Sequence, residues 1–153
     1  MSRRPYVSTY FSPNRGSAAT IEGFIRNTQS TLDIAIYALT HESIGKAVVA
    51  AHKRGVAVRL LVDKVQAAGR YSIVARMMVE GVPTRLDHQS GSMHHKMAIS
   101  DALLPSRAVA LGSFNWTKNA DERNAESLVI VRLRAVTSAC TKEYEQLWEA
   151  NSP

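Results

Sequence analysis

Short apolar segments rich in β-branched residues alternate with helical patterns in the first part of the chain, and this alternation restricts the fold more than any other feature. The segments at 32–37 and 56–62 are typical of buried strands. Between them lies a stretch with helical apolar spacing that ends at Gly55, a residue suited to a helix C-terminus. A strand, a helix and a second strand in this order predict a βαβ unit and therefore an α/β layer fold.

The same patterns define elements along the whole chain, and closely spaced strands follow in the second part. Predicted strands cover Tyr6–Phe11, Leu32–Tyr37, Val56–Val62, Thr84–Leu86, Met93–Ser100, Ala108–Leu111 and Ser127–Arg132. Predicted helices cover a segment through Ile21 and Ile25, then Glu42–Arg54, Ser72–Glu80 and Val136–Glu149. No linker, low-complexity segment or internal repeat divides the sequence. We therefore expect residues 1–153 to form one domain, which buries roughly two thirds of its unfolded surface.

The charge balance favours a polyanionic partner. The chain has 19 Lys and Arg residues against 13 Asp and Glu residues, which gives a net charge of +6. Such an excess favours binding to nucleic acid or to an anionic membrane surface, and charge alone does not separate the two. The basic residues are spread along the chain without a basic tail, so an ordinary solvated surface is the remaining alternative.

Cysteine content and hydropathy exclude several classes of protein. Cys140 is the only cysteine, which excludes an intrachain disulfide framework and a cysteine-based zinc cluster. Asp87 and His88, which we expect to lie in a solvated loop, have no further ligands at metal spacing, so no metal site is predicted. No stretch approaches the ~20 apolar residues of a membrane span, and stable membrane insertion is not expected. We predict a soluble protein, exported to a bacterial periplasm if a signal peptide has been removed and cytoplasmic otherwise.

A polar segment, His94-His95-Lys96, lies near the start of a predicted strand. Because side chains alternate along a strand, His94 and Lys96 share one face, whereas His95 and Asp101 point to the other. The combination His-x-Lys occurs once in the sequence. Alternation therefore excludes His95 and Asp101 from direct chemistry with His94.

A second polar segment, Gly112-Ser113-Phe114-Asn115, follows the next predicted strand, and Glu126 comes just before the last strand. Alternation places Ser113 with Asn115 and directs Phe114 toward the core. Polar groups from several strand ends are therefore expected to converge.

These residue types suit the cleavage of a phosphodiester. The reaction needs cationic and hydrogen-bonding groups on the non-bridging oxygens and a nucleophile in line with the leaving oxygen. Lys96 supplies a positive charge, and Ser113 and Asn115 supply neutral donors. A neutral imidazole at His94 can attack phosphorus and form a phosphohistidine. Glu126 can accept a hydrogen bond from the other ring nitrogen of His94 and fix its tautomer.

With these residues the chain resembles the phospholipase D superfamily, whose motif is His-x-Lys-x4-Asp followed by Gly-Ser-x-Asn. The resemblance is strongest to the small bacterial Nuc-type endonucleases and runs from about Tyr10 to Trp148. It implies a mixed sheet flanked by helices on both faces. It also implies nonspecific cleavage of DNA or RNA through a covalent phosphohistidine, without a divalent ion or another cofactor. In the family, the positions of Asp101 and Gly112 belong to the structural part of the motif.

One departure from the family pattern follows Asp101. Ten residues, Ala102–Leu111, separate Asp101 from Gly112, which is more than usual. The sequence predicts a longer hairpin loop that covers the site, forms an interface or projects from the surface.

Four further residues are candidate contacts to nucleic acid: Arg70, Trp116, Lys118 and Arg123. The three basic residues either line a phosphate track or are solvated surface charges. Trp116 either stacks on a base or packs in the core, and packing is favoured.

In-line displacement also needs an acid behind the leaving oxygen, and one motif supplies only one suitable histidine. A twofold homodimer brings a second His94 to the same place, which is also the arrangement that the resemblance implies. We predict one composite site per dimer.

Three functions fit these residues. A sequence-nonspecific nuclease acting on DNA or RNA is the leading hypothesis, because no second domain or recognition helix is present to read base edges. An enzyme acting on phospholipids such as cardiolipin uses the same chemistry, but no long apolar surface helix favours it. A noncatalytic nucleic-acid-binding module is disfavoured, because every motif residue is present.

Overall fold

Strands and helices follow one another through residues 6–152, the part of the chain that the computed structural model describes. The strands are β1 (Val7–Ser12), β2 (Thr31–Ile36), β3 (Ala57–Asp63), β4 (Thr84–Asp87), β5 (Lys96–Ser100), β6 (Ala108–Gly112) and β7 (Glu126–Val131). The helices are α1 (Ser17–Arg26), α2 (Glu42–Lys53), α3 (Lys64–Ala67), α4 (Val74–Val79), α5 (Lys118–Glu122) and α6 (Arg134–Ala150).

The strands form one mixed sheet with the order β1-β7-β6-β5-β2-β3-β4. Strands β2, β3 and β4 are parallel, and the other neighbouring pairs are antiparallel. As a result, the carboxyl ends of five strands and the amino ends of β5 and β7 share one edge. We call it the polar edge, and its terminal strand residues are Ser12, Ile36, Asp63, Asp87, Lys96, Gly112 and Glu126.

Helices cover both faces of the sheet. The first face packs against α1, α2 and α4 in a core that includes Ile25, Ile34 and Val48. The second face packs against α6 around Ile99 and Tyr144. The predicted α/β architecture, a mixed sheet with helices on both faces, is confirmed. None of the helices within residues 6–152 has both the length and the apolar character needed to cross a membrane.

The central strands are apolar along their length because both of their faces are covered. Residues 32–36 of β2 are all buried, including Asp33, whose carboxylate accepts from Arg59 Nε at 2.7 Å. A strand that is buried on both sides shows a continuous apolar run rather than alternation. This explains why β2 and β3 were predictable from the sequence.

Strand β5 is shorter than predicted, since it begins at Lys96 rather than at Met93. The neighbouring strand β2 ends at Ile36, which pairs with Lys96, so the residues before Lys96 have no β2 residue to pair with. One backbone hydrogen bond continues the pairing, from Tyr37 N to His95 O at 2.8 Å. His94 and His95 therefore lie in the loop that leads into β5.

Two short helices were not predicted, and each begins with a side-chain cap. The Asp63 carboxylate accepts from Val65 N and from Gln66 N, both at 3.0 Å, at the start of α3. Thr117 Oγ1 accepts from Ala120 N at 3.1 Å at the start of α5. The Asp63 side chain at the polar edge is thus used as the N-cap of α3.

The longer connection after Asp101 lies away from the polar edge. It runs from Asp101 to Arg107, and β6 begins at Ala108. The five residues of β5 hold this connection ~16 Å from the motif end of the strand. Three roles were predicted for this loop, and one of them is wrong: the loop does not cover the site of its own chain. Leu103 at the connection is 92% exposed.

Candidate active site

The five predicted catalytic residues surround one cavity at the polar edge. The cavity measures about 330 Å³, and its lining consists of His94, Lys96, Gly112, Ser113, Asn115 and Glu126. These residues come from the starts of β5 and β7 and from the end of β6 with its following loop. We call it the phosphate cavity. The antiparallel order β5-β6-β7 is what brings the separate segments together.

His94 and Lys96 form a pair at the mouth of the cavity. Lys96 Nζ lies 2.9 Å from His94 Nδ1 and donates to His94 O at 2.7 Å. Lys96 is buried whereas His94 is exposed. Burial lowers the pKa of Lys96 below the usual lysine value, and the charge of Glu126 opposes part of that shift. The pair therefore combines an accessible imidazole with a fixed positive charge.

Tyr37 supports both members of this pair, although it was not among the predicted site residues. Its ring lies 4.5 Å from the His94 ring, centroid to centroid, and Lys96 Nζ lies 4.9 Å from the Tyr37 ring centroid. Gln66 Nε2 donates to the phenol oxygen at 3.1 Å. The available signal was its position at the carboxyl end of a predicted strand.

Gly112 allows the closest backbone approach in the site. Its φ is 149°, and a Cβ at this position would lie 2.2 Å from Ser127 O. Only glycine avoids that collision. The next residue, Ser113, then pairs with Ser127 in both directions: Ser113 N donates to Ser127 O, and Ser127 N donates to Ser113 Oγ, each at 3.0 Å.

Asn115 is oriented by the loop after β2. Its Oδ1 accepts from Ala38 N at 3.3 Å, which leaves the amide NH₂ as the donor available to a bound group. Trp116 next to it is 2% exposed and packs in the core. Trp116 is therefore not available to stack on a base, and its prediction as a nucleic-acid contact is wrong. The alternative prediction, that Trp116 packs in the core, agrees with the structure.

Glu126 lines the cavity but does not contact His94. Its carboxylate accepts from Ser113 Oγ and, at 3.2 Å, from Asn124 Nδ2. Because β6 lies between β5 and β7, ~10 Å of sheet separates the backbones of Glu126 and His94. The expected hydrogen bond from His94 to Glu126 is thus absent among the described residues of this chain.

His95 and Asp101 point away from the cavity. His95 Nε2 lies 3.0 Å from Glu143 Oε1 of α6, on the second face of the sheet. Asp101, at the far end of β5, accepts from Gln29 N, Ser30 N and Thr31 N and from Ser106 Oγ. Asp101 therefore joins the loop before β2 to the connection before β6.

The three basic candidates lie outside the lining of the phosphate cavity. Arg70 lies over the ring of Tyr71, with 5.5 Å from the guanidinium carbon to the ring centroid. Lys118 Nζ is 3.8 Å from Glu122 Oε1, and Arg123 is exposed. Their contact with nucleic acid stays a prediction.

Within residues 6–152, no three His, Cys, Asp or Glu side chains gather as a metal ion would require. Asp87, predicted to lie in a solvated loop, is instead buried at the end of β4. Its carboxylate accepts from Asn151 Nδ2 at 2.9 Å, which fastens the end of α6.

The chain matches the sequence profile of a known family over residues 21–148, a family described as "Cardiolipin synthase, PLD-like domain". The chain therefore belongs to the phospholipase D-like family. The mitochondrial cardiolipin hydrolase of Xenopus tropicalis is 34% identical over 125 residues, which are 82% of this chain and 58% of that protein. A phospholipase D of Rickettsia prowazekii is 30% identical over 145 residues, which are 95% of this chain and 67% of that protein.

A solved structure matches over nearly the whole fold. Nuc from Salmonella typhimurium, a phospholipase D family member, superposes with a TM-score of 0.88 and 29% sequence identity and covers 97% of both chains. By contrast, the chain spans about 58% of the length of the Xenopus hydrolase.

Proposed function

We propose that this chain is a metal-independent phosphodiesterase that works as a homodimer and cleaves nucleic acid without sequence preference. One observation carries the proposal: all five residues that the chemistry needs line a single cavity of about 330 Å³. Family membership supports the class of reaction.

In the proposed reaction, the phosphate of the substrate occupies the phosphate cavity. The Lys96 ammonium and the Asn115 amide NH₂ donate to its non-bridging oxygens. The Ser113 hydroxyl donates to the Glu126 carboxylate, and its oxygen is a further polar group in the cavity. Charge that develops on the oxygens in the transition state is thereby stabilised without a metal ion.

Substrate binding also frees the nucleophile. Lys96 Nζ lies 2.9 Å from His94 Nδ1, so this nitrogen accepts and the proton of a neutral ring resides on Nε2. A bound phosphate attracts the ammonium away from the ring. The ring proton then moves from Nε2 to Nδ1, and Nε2 presents a lone pair to phosphorus.

The covalent steps use two copies of His94. Nε2 of one His94 forms a bond to phosphorus while the bond to the leaving oxygen breaks, and that oxygen takes a proton from the imidazolium of His94 in a second copy. The second imidazole then removes a proton from water. The water oxygen attacks phosphorus, the phosphorus–nitrogen bond breaks, and the first His94 regains its electron pair. The exposure of His94 is compatible with its approach to a twofold axis.

Two observations favour nucleic acid as the substrate. The net charge of +6 suits a polyanion, and the Salmonella protein Nuc matches 97% of this chain. A phospholipid hydrolase is the second candidate, because the relatives from Xenopus and Rickettsia are named as enzymes of lipid cleavage.

The test is an assay in excess EDTA with DNA, RNA and cardiolipin vesicles as separate substrates. We expect cleavage of DNA or RNA by the purified protein and none by a His94→Ala variant. A His88→Ala variant is the matched control, since this exposed histidine follows β4, three strands away from β5. Loss of all cleavage in EDTA would contradict the metal-free mechanism, and cleavage of cardiolipin alone would select the second candidate.

A further inference from the structure

A second cavity opens beside the phosphate cavity, and we call it the side groove. It measures about 430 Å³ and shares His94, Lys96 and Gly112 with the phosphate cavity. The rest of its lining consists of His95, Met97, Leu111, Ala139, Cys140 and Glu143. The groove therefore lies between α6 and strands β5 and β6, in direct continuity with the predicted reaction centre.

The side groove has an apolar floor and a polar rim. Met97, Leu111 and Cys140 belong to the core on the second sheet face and leave part of their surface toward the groove. At the rim, His95 Nε2 lies 3.0 Å from Glu143 Oε1, and both side chains are a little under half exposed. Thioether and thiol groups pack well against aromatic rings, and the rim pair offers donors and acceptors to a polar ring edge.

We propose that the side groove binds the nucleoside next to the scissile phosphate. The inference rests on the proposed function, since it assigns a place to one of the two groups that a phosphodiester carries. A phosphate that contacts His94 and Lys96 lies against two residues that also line the groove, so the groove is within reach of one of its ester substituents. An aromatic base meets the sulfur atoms of the floor, and its polar edge meets the rim.

The shape favours a nucleoside over a lipid. A fatty acyl chain needs a long continuous apolar channel, whereas the side groove of about 430 Å³ is bordered by an imidazole and a carboxylate. The net charge of the chain also favours nucleic acid.

The first test fills the groove without disturbing the core. Ala139 is an exposed residue of α6 that lines the groove, so Ala139→Trp adds bulk there and leaves the packed side of the helix intact. Ala150→Trp is the matched control, because it makes the same change at an exposed position ~16 Å further along the helix. Kinetics are measured in EDTA on a short single-stranded oligonucleotide and on methyl 2,2,2-trifluoroethyl phosphate, a diester without an aromatic ring whose cleavage is followed by fluorine NMR.

We expect Ala139→Trp to raise KM for the oligonucleotide about tenfold, which corresponds to one lost base-stacking contact. The small diester has no nucleoside, so its kcat/KM should stay within about twofold of the unmodified protein. Unchanged KM for the oligonucleotide, or an equal loss on both substrates, would overturn the inference. Failure of the proposed function is distinct, because the unmodified protein would then show no His94-dependent cleavage of either substrate.

The second test uses Cys140, the only thiol in the chain. Iodoacetamide should alkylate it in the folded protein, and the oligonucleotide should slow this reaction several-fold in a His94→Ala background that binds without turnover. Burial raises the pKa of the Cys140 thiol, so the reaction is run at alkaline pH with the urea-unfolded protein as the reference. A thiol that reacts only in the unfolded protein would mean that the groove is closed, which overturns the inference. Protection by cardiolipin vesicles and none by the oligonucleotide would also overturn it and assign the groove to lipid.

Discussion

Replacement of Asp101 separates a structural role of the motif aspartate from a chemical one. Asp101 is 1% exposed, and its two carboxylate oxygens accept from three backbone N–H groups and one hydroxyl. It also adopts φ 51°, a left-handed conformation that Asn tolerates almost as well as Asp. Asp101→Asn therefore keeps the backbone and the shape of the side chain and removes the charge.

The expected cost follows from these bonds. In Asp101→Asn, one amide oxygen can still accept from Ser30 N and Thr31 N, and the NH₂ group can donate to the Ser106 hydroxyl, so mainly the charge assistance is lost, about 1–2 kcal/mol of unfolding free energy. Asp101→Ala leaves several buried donors without an acceptor and should cost about 3–5 kcal/mol. Both losses are smaller than the total stability typical of a domain, so Asp101→Asn should remain folded.

Urea denaturation followed by circular dichroism gives the two free energies, and cleavage assays on folded Asp101→Asn give its activity. We expect activity within about twofold of the unmodified protein, whereas His94→Ala should be normally stable and lose at least about 10³-fold. An Asp101→Asn variant that is as stable as the unmodified protein but inactive would refute the structural assignment.

Three further predictions follow from the site. Gly112→Ala should lower both stability and activity, because its Cβ would collide with Ser127 O and displace Ser113; denaturation and kinetics measure the two effects. Tyr37→Leu should lower kcat more than it changes stability, since the ring supports His94 and Lys96, whereas Tyr37→Phe should keep most activity; an unaffected kcat in Tyr37→Leu would remove this role. Cleavage activity should fall at alkaline pH, where Lys96 loses its proton. Because burial lowers the pKa of Lys96, the fall should begin below about pH 10.4, the ordinary lysine pKa. Activity that stays constant up to about that pH would contradict the need for a charged Lys96.

The parts of the site that depend on neighbouring residues were predictable from the sequence. Alternation along a strand separated His94 and Lys96 from His95, and in the structure the His95 side chain contacts Glu143 of α6. The apolar runs of β2 and β3 also identified the sheet, because burial on both faces leaves a continuous signal. In these cases the physical cause lies within a few residues of the effect.

The parts that depend on strand order were not predictable. The expected contact between Glu126 and His94 fails because β6 separates β7 from β5, and no local pattern specifies that order. Tyr37 meets Lys96 only because β2 pairs with β5. The side groove likewise exists because α6 returns to the sheet beside the motif, a long-range contact without a sequence signal.

Shared use of His94 by two subunits is the central claim, and a mixing experiment tests it most directly. Equal amounts of unmodified protein and His94→Ala protein are allowed to exchange subunits, and cleavage is measured in EDTA at constant total protein. If each site needs His94 from both subunits, only unmodified homodimers are active and activity falls to about a quarter. Activity of about half, equal to a mixture with an inert protein, would show that each chain acts alone and would contradict the account.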